Sequence, residues 1–169
     1  MSREAAVAVI VVVVVGLIAL LFWAWRRRTR RDSALRAPIG DVPGSATVIA
    51  EFPSLYVATT RHGQPLERLA ISGLGFRSKA DVRVTDVGVA LDLTGQPTML
   101  LDPARITAVA QSTVAIDRVV EPDGLVCLSW RTDDGTVVDS YLRPQDASAR
   151  ALADAIRGIL SPSSTGPDA

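Results

Sequence analysis

Val82–Leu93 reads V-R-V-T-D-V-G-V-A-L-D-L. Val82, Val84, Val87, Val89, Leu91 and Leu93 alternate with smaller or polar residues, and Asp86 stands in the middle. Successive side chains of an extended backbone leave opposite faces, so a period of two marks a strand with one buried face. The β-branched valines suit such a pleated surface. The stretch predicts two half-buried strands that meet at a turn around Asp86.

Further strands follow on the C-terminal side. T-G-Q-P at Thr94–Pro97 is a turn into a run over Thr98–Leu101, and Asp102-Pro103 breaks that run before Ile106–Ala110. Val114–Val120 can form another strand. Leu125–Arg131 and Thr136–Arg143 flank T-D-D-G, whose Asp134-Gly135 pair favours a tight hairpin turn with positive φ. Along the first arm Val126, Leu128 and Trp130 share one face, and Leu125, Cys127 and Ser129 share the other. Cys127, the sole cysteine, reads as a small buried hydrophobe, and no internal disulfide can form. A helix closes the region over 144–160. Pro144 suits a first helical position, Asp146 places an anion near the dipole, and Ser161-Pro162 ends the element. Ala149, Leu152, Ala153, Ile156 and Leu160 form its one apolar stripe, and Asp154 can reach Arg150 or Arg157.

On the N-terminal side, Thr47–Phe52 is a strand that stops at Pro53, and Leu55–Thr60 is a second. Arg61–Gly63 is a turn, and 64–80 is ambiguous between strand and loop. Seven or more short antiparallel strands followed by one amphipathic helix form a specific order. The helix must cover something, and the open end of a small sandwich or barrel is the natural place. This arrangement resembles a pleckstrin-homology-like (PH-like) domain. More narrowly, the run V-R-V-T-D-V-G-V-A-L-D-L, then R-I-T-A-V, then L-V-C-L-S-W-R-T-D-D-G is similar to small actinobacterial membrane proteins that join one N-terminal span to a bacterial PH-like domain. Those are often labelled putative transporter or export proteins. The resemblance implies a bent barrel of about seven strands capped by its last helix, and it carries no catalytic motif.

Ahead of this domain, Ala5–Trp25 holds no charge and no proline. At about 1.5 Å per residue such a helix spans roughly the 30 Å of a bilayer core. Lipid overrides the weak helix preference of Val11–Val15, because only a helix satisfies its backbone internally there. A cleaved signal fits poorly, since the apolar core is long and the basic cluster follows it. A buried core helix fits poorly as well, given the length and uniform apolarity.

Arg26, Arg27, Arg28, Arg30 and Arg31 come directly after the span, and Trp23 and Trp25 stand at the headgroup level. The positive-inside bias then puts the C-terminal side in the cytoplasm and the N-terminus outside, in the plasma (inner) membrane. The expected division is an extracytoplasmic 1–4, a span over 5–25, an arginine-rich juxtamembrane linker over 26–44, a cytosolic domain over 45–160 and a frayed tail over 161–169.

The net charge is zero but unevenly spread. Residues 1–37 carry seven arginines against Glu4 and Asp32, and residues 38–169 carry eleven basic against sixteen acidic side chains. An acidic domain argues against nucleic acid. His62 is the sole histidine, in an exposed R-H-G turn, so a metal site or a histidine triad lacks a second member. Gly73-x-Gly75 lacks the rest of a phosphate loop, and Asp133, Asp134 and Asp139 read as solvated carboxylates without calcium-loop spacing. No cofactor and no enzyme activity are expected. Arg77, Lys79 and Arg83 form the one local basic cluster in the domain and are candidates for lipid headgroup or partner contact. Trp130 is either core or a partner anchor, with core favoured by its face. The expected role is a non-catalytic adaptor that holds a protein partner at the membrane. The alternatives are an accessory subunit of a transporter or export complex, and lipid sensing; the oligomeric state is left open.

Overall fold

The computed structural model describes residues 3–32, 35–115, 118–119 and 124–160. The side chains of 28–32, 114–115 and 118–119, and the expected tail over 161–169, lie outside the described residues. The chain divides into two compact units, Met1–Ala34 and Leu35–Ala169.

The first unit is one helix, α1 (Arg3–Asp32). Its apolar part, Arg3–Arg27, is long enough to cross a membrane, and none of its most apolar window is buried. The helix continues beyond Trp25 through the arginines, where the sequence reading begins a linker. Arginine is a good helix former, and no glycine or proline interrupts the run before Pro38.

The second unit is mainly β. Its elements are β1 (Val48–Arg61), β2 (Gln64–Arg68), β3 (Ser78–Thr85), β4 (Gly88–Leu93), β5 (Met99–Leu101), β6 (Ile106–Ser112), β7 (Val114–Ala115), β8 (Arg118–Val119), β9 (Leu125–Arg131), β10 (Val137–Pro144) and α2 (Ala149–Leu160). An antiparallel eight-stranded sheet runs β5-β4-β3-β1-β10-β9-β6, and β2 also pairs with β1. The β3–β4 pair has the turn expected at Asp86, with Thr85 opposite Gly88. At Gly88 φ is +149°, and an added Cβ would stand 2.3 Å from the Leu101 carbonyl oxygen, so only glycine fits.

β1 is a single strand where proline predicts a break. Its first part pairs with β3 and its last part with β10. The Pro53 carbonyl accepts from the Gln145 N–H at 2.9 Å. In a strand, N and C=O of one residue point to the same edge, so the missing N–H of Pro53 faces the margin where β10 has just ended. The facing pair with Gln145 keeps the one bond that proline can make, as acceptor.

Val114–Val120 is also not one strand. Val114 pairs with Val119 and Ala115 with Arg118, so the chain doubles back as the β7–β8 hairpin. Residues 116–117 and 120 lie outside the described residues. The ambiguous stretch 64–80 divides into β2, a loop and the start of β3. Leu69, Ile71 and Leu74 of that loop are buried in the core.

The main core lies between the sheet and α2. β3 contributes Val82 and Val84, β4 Val89 and Leu91, β9 Val126, Leu128 and Trp130, and β10 Val138 and Leu142. α2 covers it with Ala149, Leu152, Ala153 and Ile156. This helix starts later than Pro144 because Pro144 still pairs with Ser54 in the sheet. Ser148 is the cap, its hydroxyl accepting from the Ala151 N–H at 3.1 Å. The segment ahead of β1 is tied down too. Gly40 N–H donates to the Thr98 carbonyl at 3.1 Å, Ile39 bridges to Met99, and Leu35 and Ala37 pack on the core.

Candidate functional site

Within the domain, the residues singled out in the sequence do not converge on one site. Near the end of the apolar part of α1, Trp23 and Trp25 are 60% and 62% exposed. The Arg27 guanidinium lies 5.6 Å from the Trp23 ring centroid, and the Phe22 and Trp25 ring centroids are 5.9 Å apart with the planes tilted by 42°. Aromatic faces and a cation are thus assembled on one stretch of the helix, the pairing that headgroup layers favour. Arg26 is exposed, and the side chains of Arg28, Arg30 and Arg31 lie outside the described residues.

The basic trio is divided. Arg83 reaches across β3–β4 to Asp92, with Nη2 at 2.6 Å and Nε at 2.8 Å from the same carboxylate oxygen. Glu51 stands opposite Arg83 on β1, and Asp81 opposite Asp92. Arg83 is therefore spent on a neighbouring acid. Arg77 and Lys79 are exposed and pair with no carboxylate among the described residues. A convergent basic pocket of three is not formed.

Trp130 is fully buried, and it heads a chain of polar bonds through the core. Its Nε1–H donates to Ser140 Oγ at 2.9 Å, and Ser140 lies 2.7 Å from Thr59 Oγ1. Thr59 lies 2.8 Å from the Tyr56 hydroxyl, which is 2.8 Å from the Leu74 carbonyl. Directions follow by elimination. The indole only donates and the carbonyl only accepts, so each hydroxyl between them accepts once and donates once, from Ser140 to Thr59 to Tyr56. All four side chains are fully buried, and none of these polar atoms is left over. Burial pushes the Tyr56 phenol well above its ordinary value. The chain ties the β9–β10 hairpin to the loop between β2 and β3.

That loop carries what the sequence reading passed over. Leu74 is held from both sides, by Tyr56 and by its own N–H to the Ile71 carbonyl at 3.0 Å. Two residues later Phe76 is 86% exposed, more than any large hydrophobic side chain of α1. The one available signal was a lone aromatic between glycine and arginine in G-F-R-S-K, outside any apolar period.

The outer face of β9–β10 holds Asp139, which is 5% exposed rather than solvated. Its Oδ1 accepts from Ser129 Oγ at 2.6 Å and lies 2.8 Å from His62 Nδ1, and its Oδ2 accepts from the Gly63 N–H at 3.0 Å. Buried carboxylates require such donors, and the tip of the β1–β2 turn supplies two of them. The acid stands between the serine and the histidine, so His62 has no bond to Ser129 through which to take its proton, and the order of a catalytic triad is absent. Beside it, burial pushes the Cys127 thiol up to about 11, helped by the Asp139 carboxylate. Burial likewise pushes the Tyr141 phenol to about 12.

Asp133 and Asp134 stay at the hairpin tip. Asp133 pairs with Arg105 at 2.8 Å, and Asp134 accepts from the Thr132 hydroxyl and from the Thr136 N–H. Those bonds, the hydroxyl first, hold the Asp134 carboxyl below its usual value. Gly135, at φ +84°, closes the turn. Among the described residues no three potential ligands gather as a metal site.

Comparison with known proteins bears on the domain. The model of one family, described as Bacterial PH domain-like, matches residues 36–156. No curated protein matches significantly. Among solved structures, the C-terminal domain of an unknown protein from Leishmania infantum is similar at 11% identity and a TM-score of 0.44, over 69% of this chain and 86% of that one. The family match takes in every strand of the sheet and most of the closing helix, and so the chain belongs to the Bacterial PH domain-like family.

Proposed function

We propose that the protein is a single-pass, non-catalytic adaptor whose PH-like domain holds a protein partner at the cytoplasmic face of the inner membrane. The observation that carries this reading is the uncovered helix. No residue in the most apolar window of α1 is buried, while the domain completes its own core without it. Each large apolar side chain left in water forgoes about 1.5–3 kcal/mol, a loss that a bilayer removes. The arginines that follow the span favour the N-out, C-in orientation. PH-like domains generally serve as non-catalytic interaction modules, and in this one the conspicuous polar groups are bonded to one another inside the fold.

Proximity labelling in cells tests the proposal, with the labelling enzyme fused after Ala169. Enrichment of a defined cytoplasmic protein is the expected result. A polytopic membrane neighbour would replace the adaptor with an accessory subunit of a transport complex. Extracytoplasmic labelling would invert the orientation and overturn the reading.

A further inference from the structure

Phe76 is held out rather than left out. Leu69, Ile71 and Leu74 root its loop in the core, and the buried hydroxyl chain ends on the Leu74 carbonyl. The backbone is fixed up to that residue, and Gly75 then delivers an almost wholly exposed ring. Arg77 and Lys79 follow Phe76 in the chain and pair with no carboxylate among the described residues, unlike Arg83, which Asp92 takes up.

The same chemistry occurs once more in this chain. At the end of the apolar part of α1, exposed Trp23 and Trp25 run directly into Arg26 and Arg27. An aromatic ring with cations beside it suits the headgroup layer, where the ring reaches the acyl boundary and the cations meet phosphate. F-R-S-K presents that combination on the domain. A protein-binding patch needs an apolar centre contributed by several residues, and the chain neighbours of Phe76 (Gly75, Arg77 and Ser78) add none.

We infer that Phe76, Arg77 and Lys79 form a membrane wedge, with the ring entering the headgroup layer of an anionic bilayer and the two cations pairing with its phosphates. The contact is selective for charge and not for one headgroup, because Arg83, the third cation of this stretch, is held by Asp92. The acidic remainder of the domain confines it to this loop. The span makes the encounter intramolecular, so a weak wedge suffices to orient the domain. This goes beyond the adaptor reading and stands or falls separately from it.

The test uses the full chain in lipid nanodiscs. An added Cβ at Gly75 meets nothing within 4 Å, so Gly75→Cys in a Cys127→Ser background accepts a fluorescent label beside an intact Phe76. Nanodiscs of phosphatidylcholine with phosphatidylglycerol should shield the label from aqueous iodide and expose it to lipids brominated on the acyl chain. Phe76→Ser should lower the inserted-to-free ratio about tenfold, which corresponds to about 1.4 kcal/mol. Arg77→Glu with Lys79→Glu should abolish the difference between anionic and pure phosphatidylcholine discs.

Equal iodide access in both discs overturns the inference. So does shielding that arises only after soluble cell proteins are added, which assigns the ring to a protein surface. Unchanged far-ultraviolet circular dichroism keeps misfolding out of the comparison. Loss of insertion with an intact proximity-labelling partner would remove the wedge and leave the adaptor standing.

Discussion

Ser140 and Asp139 are neighbours on β10 that face opposite sides of one sheet, and they solve the problem of a buried polar group differently. Ser140 looks inward, where the indole of Trp130 donates to it and Thr59 takes its proton. Every member of that chain is neutral and every bond runs in one direction. Asp139 looks outward and gathers Ser129, His62 and the Gly63 N–H around one acid. The inner solution needs an unbroken line, whereas the outer one needs several donors on a single centre. Failure of one link therefore propagates on the inner face and stays local on the outer face.

The inner face should break hardest. Ser140→Ala leaves the Trp130 N–H and the Thr59 hydroxyl without their partner, and an orphaned buried group costs about 1–3 kcal/mol. We expect a loss of about 2–4 kcal/mol in urea unfolding of the full chain in detergent, with a smaller effect for Ser140→Thr, which keeps the hydroxyl. If Ser140→Ala cost no more than an ordinary surface change, the directional chain would be wrong. Asp139→Asn should cost less, about 1–2 kcal/mol, because the amide oxygen still accepts while its NH2 meets donors. A larger loss on the outer face than on the inner one would reverse the comparison.

Much of the strand order was legible, because alternation and turn chemistry are local. Val82–Leu93 and the Asp134-Gly135 hairpin gave their strands directly, since a strand with one wet face writes its period into the residues. The misread places each depended on a distant partner. Pro53 sits inside β1 only because β10 ends opposite it, and Pro144 joins β10 rather than α2 because Ser54 pairs with it. Asp139 looked solvated in V-V-D-S-Y, and nothing local announces that the His62–Gly63 turn folds over it. In the candidate surface, Arg77, Lys79 and Arg83 looked alike in sequence, and only the cross-strand position of Asp92 separates the third from the others.

The outer face also holds the ionisable groups that sharpen the contrast at high pH. Cys127 keeps its proton to about pH 11, because burial and the Asp139 carboxylate oppose the thiolate. A raised pKa means that the native state binds the proton more tightly than the unfolded chain. The stabilisation is complete below the ordinary thiol pKa of about 8.5 and is lost as pH climbs through the native value. Thiol labelling of the native chain should accordingly be slow at neutral pH and accelerate only toward pH 11. Cys127→Ala should flatten the alkaline fall in stability. Rapid labelling at neutral pH would mean that burial does not hold the thiol protonated.

Phe76 should give the smallest effect on folding, and that makes it the control for both faces. The ring is 86% exposed, so Phe76→Ser removes almost no buried surface and should stay within about 0.5 kcal/mol of the parent. Tyr56→Phe, which takes the donor from the Leu74 carbonyl two residues before it, should cost about 1–3 kcal/mol. The two substitutions act on the same loop from opposite directions, one on what it presents and one on what holds it. If both were neutral, the loop would not be fixed by the core. If both were costly, Phe76 would be a folding residue and could not serve as a free contact. Only a silent Phe76 beside a costly Tyr56 describes a loop built by the interior for use at the surface.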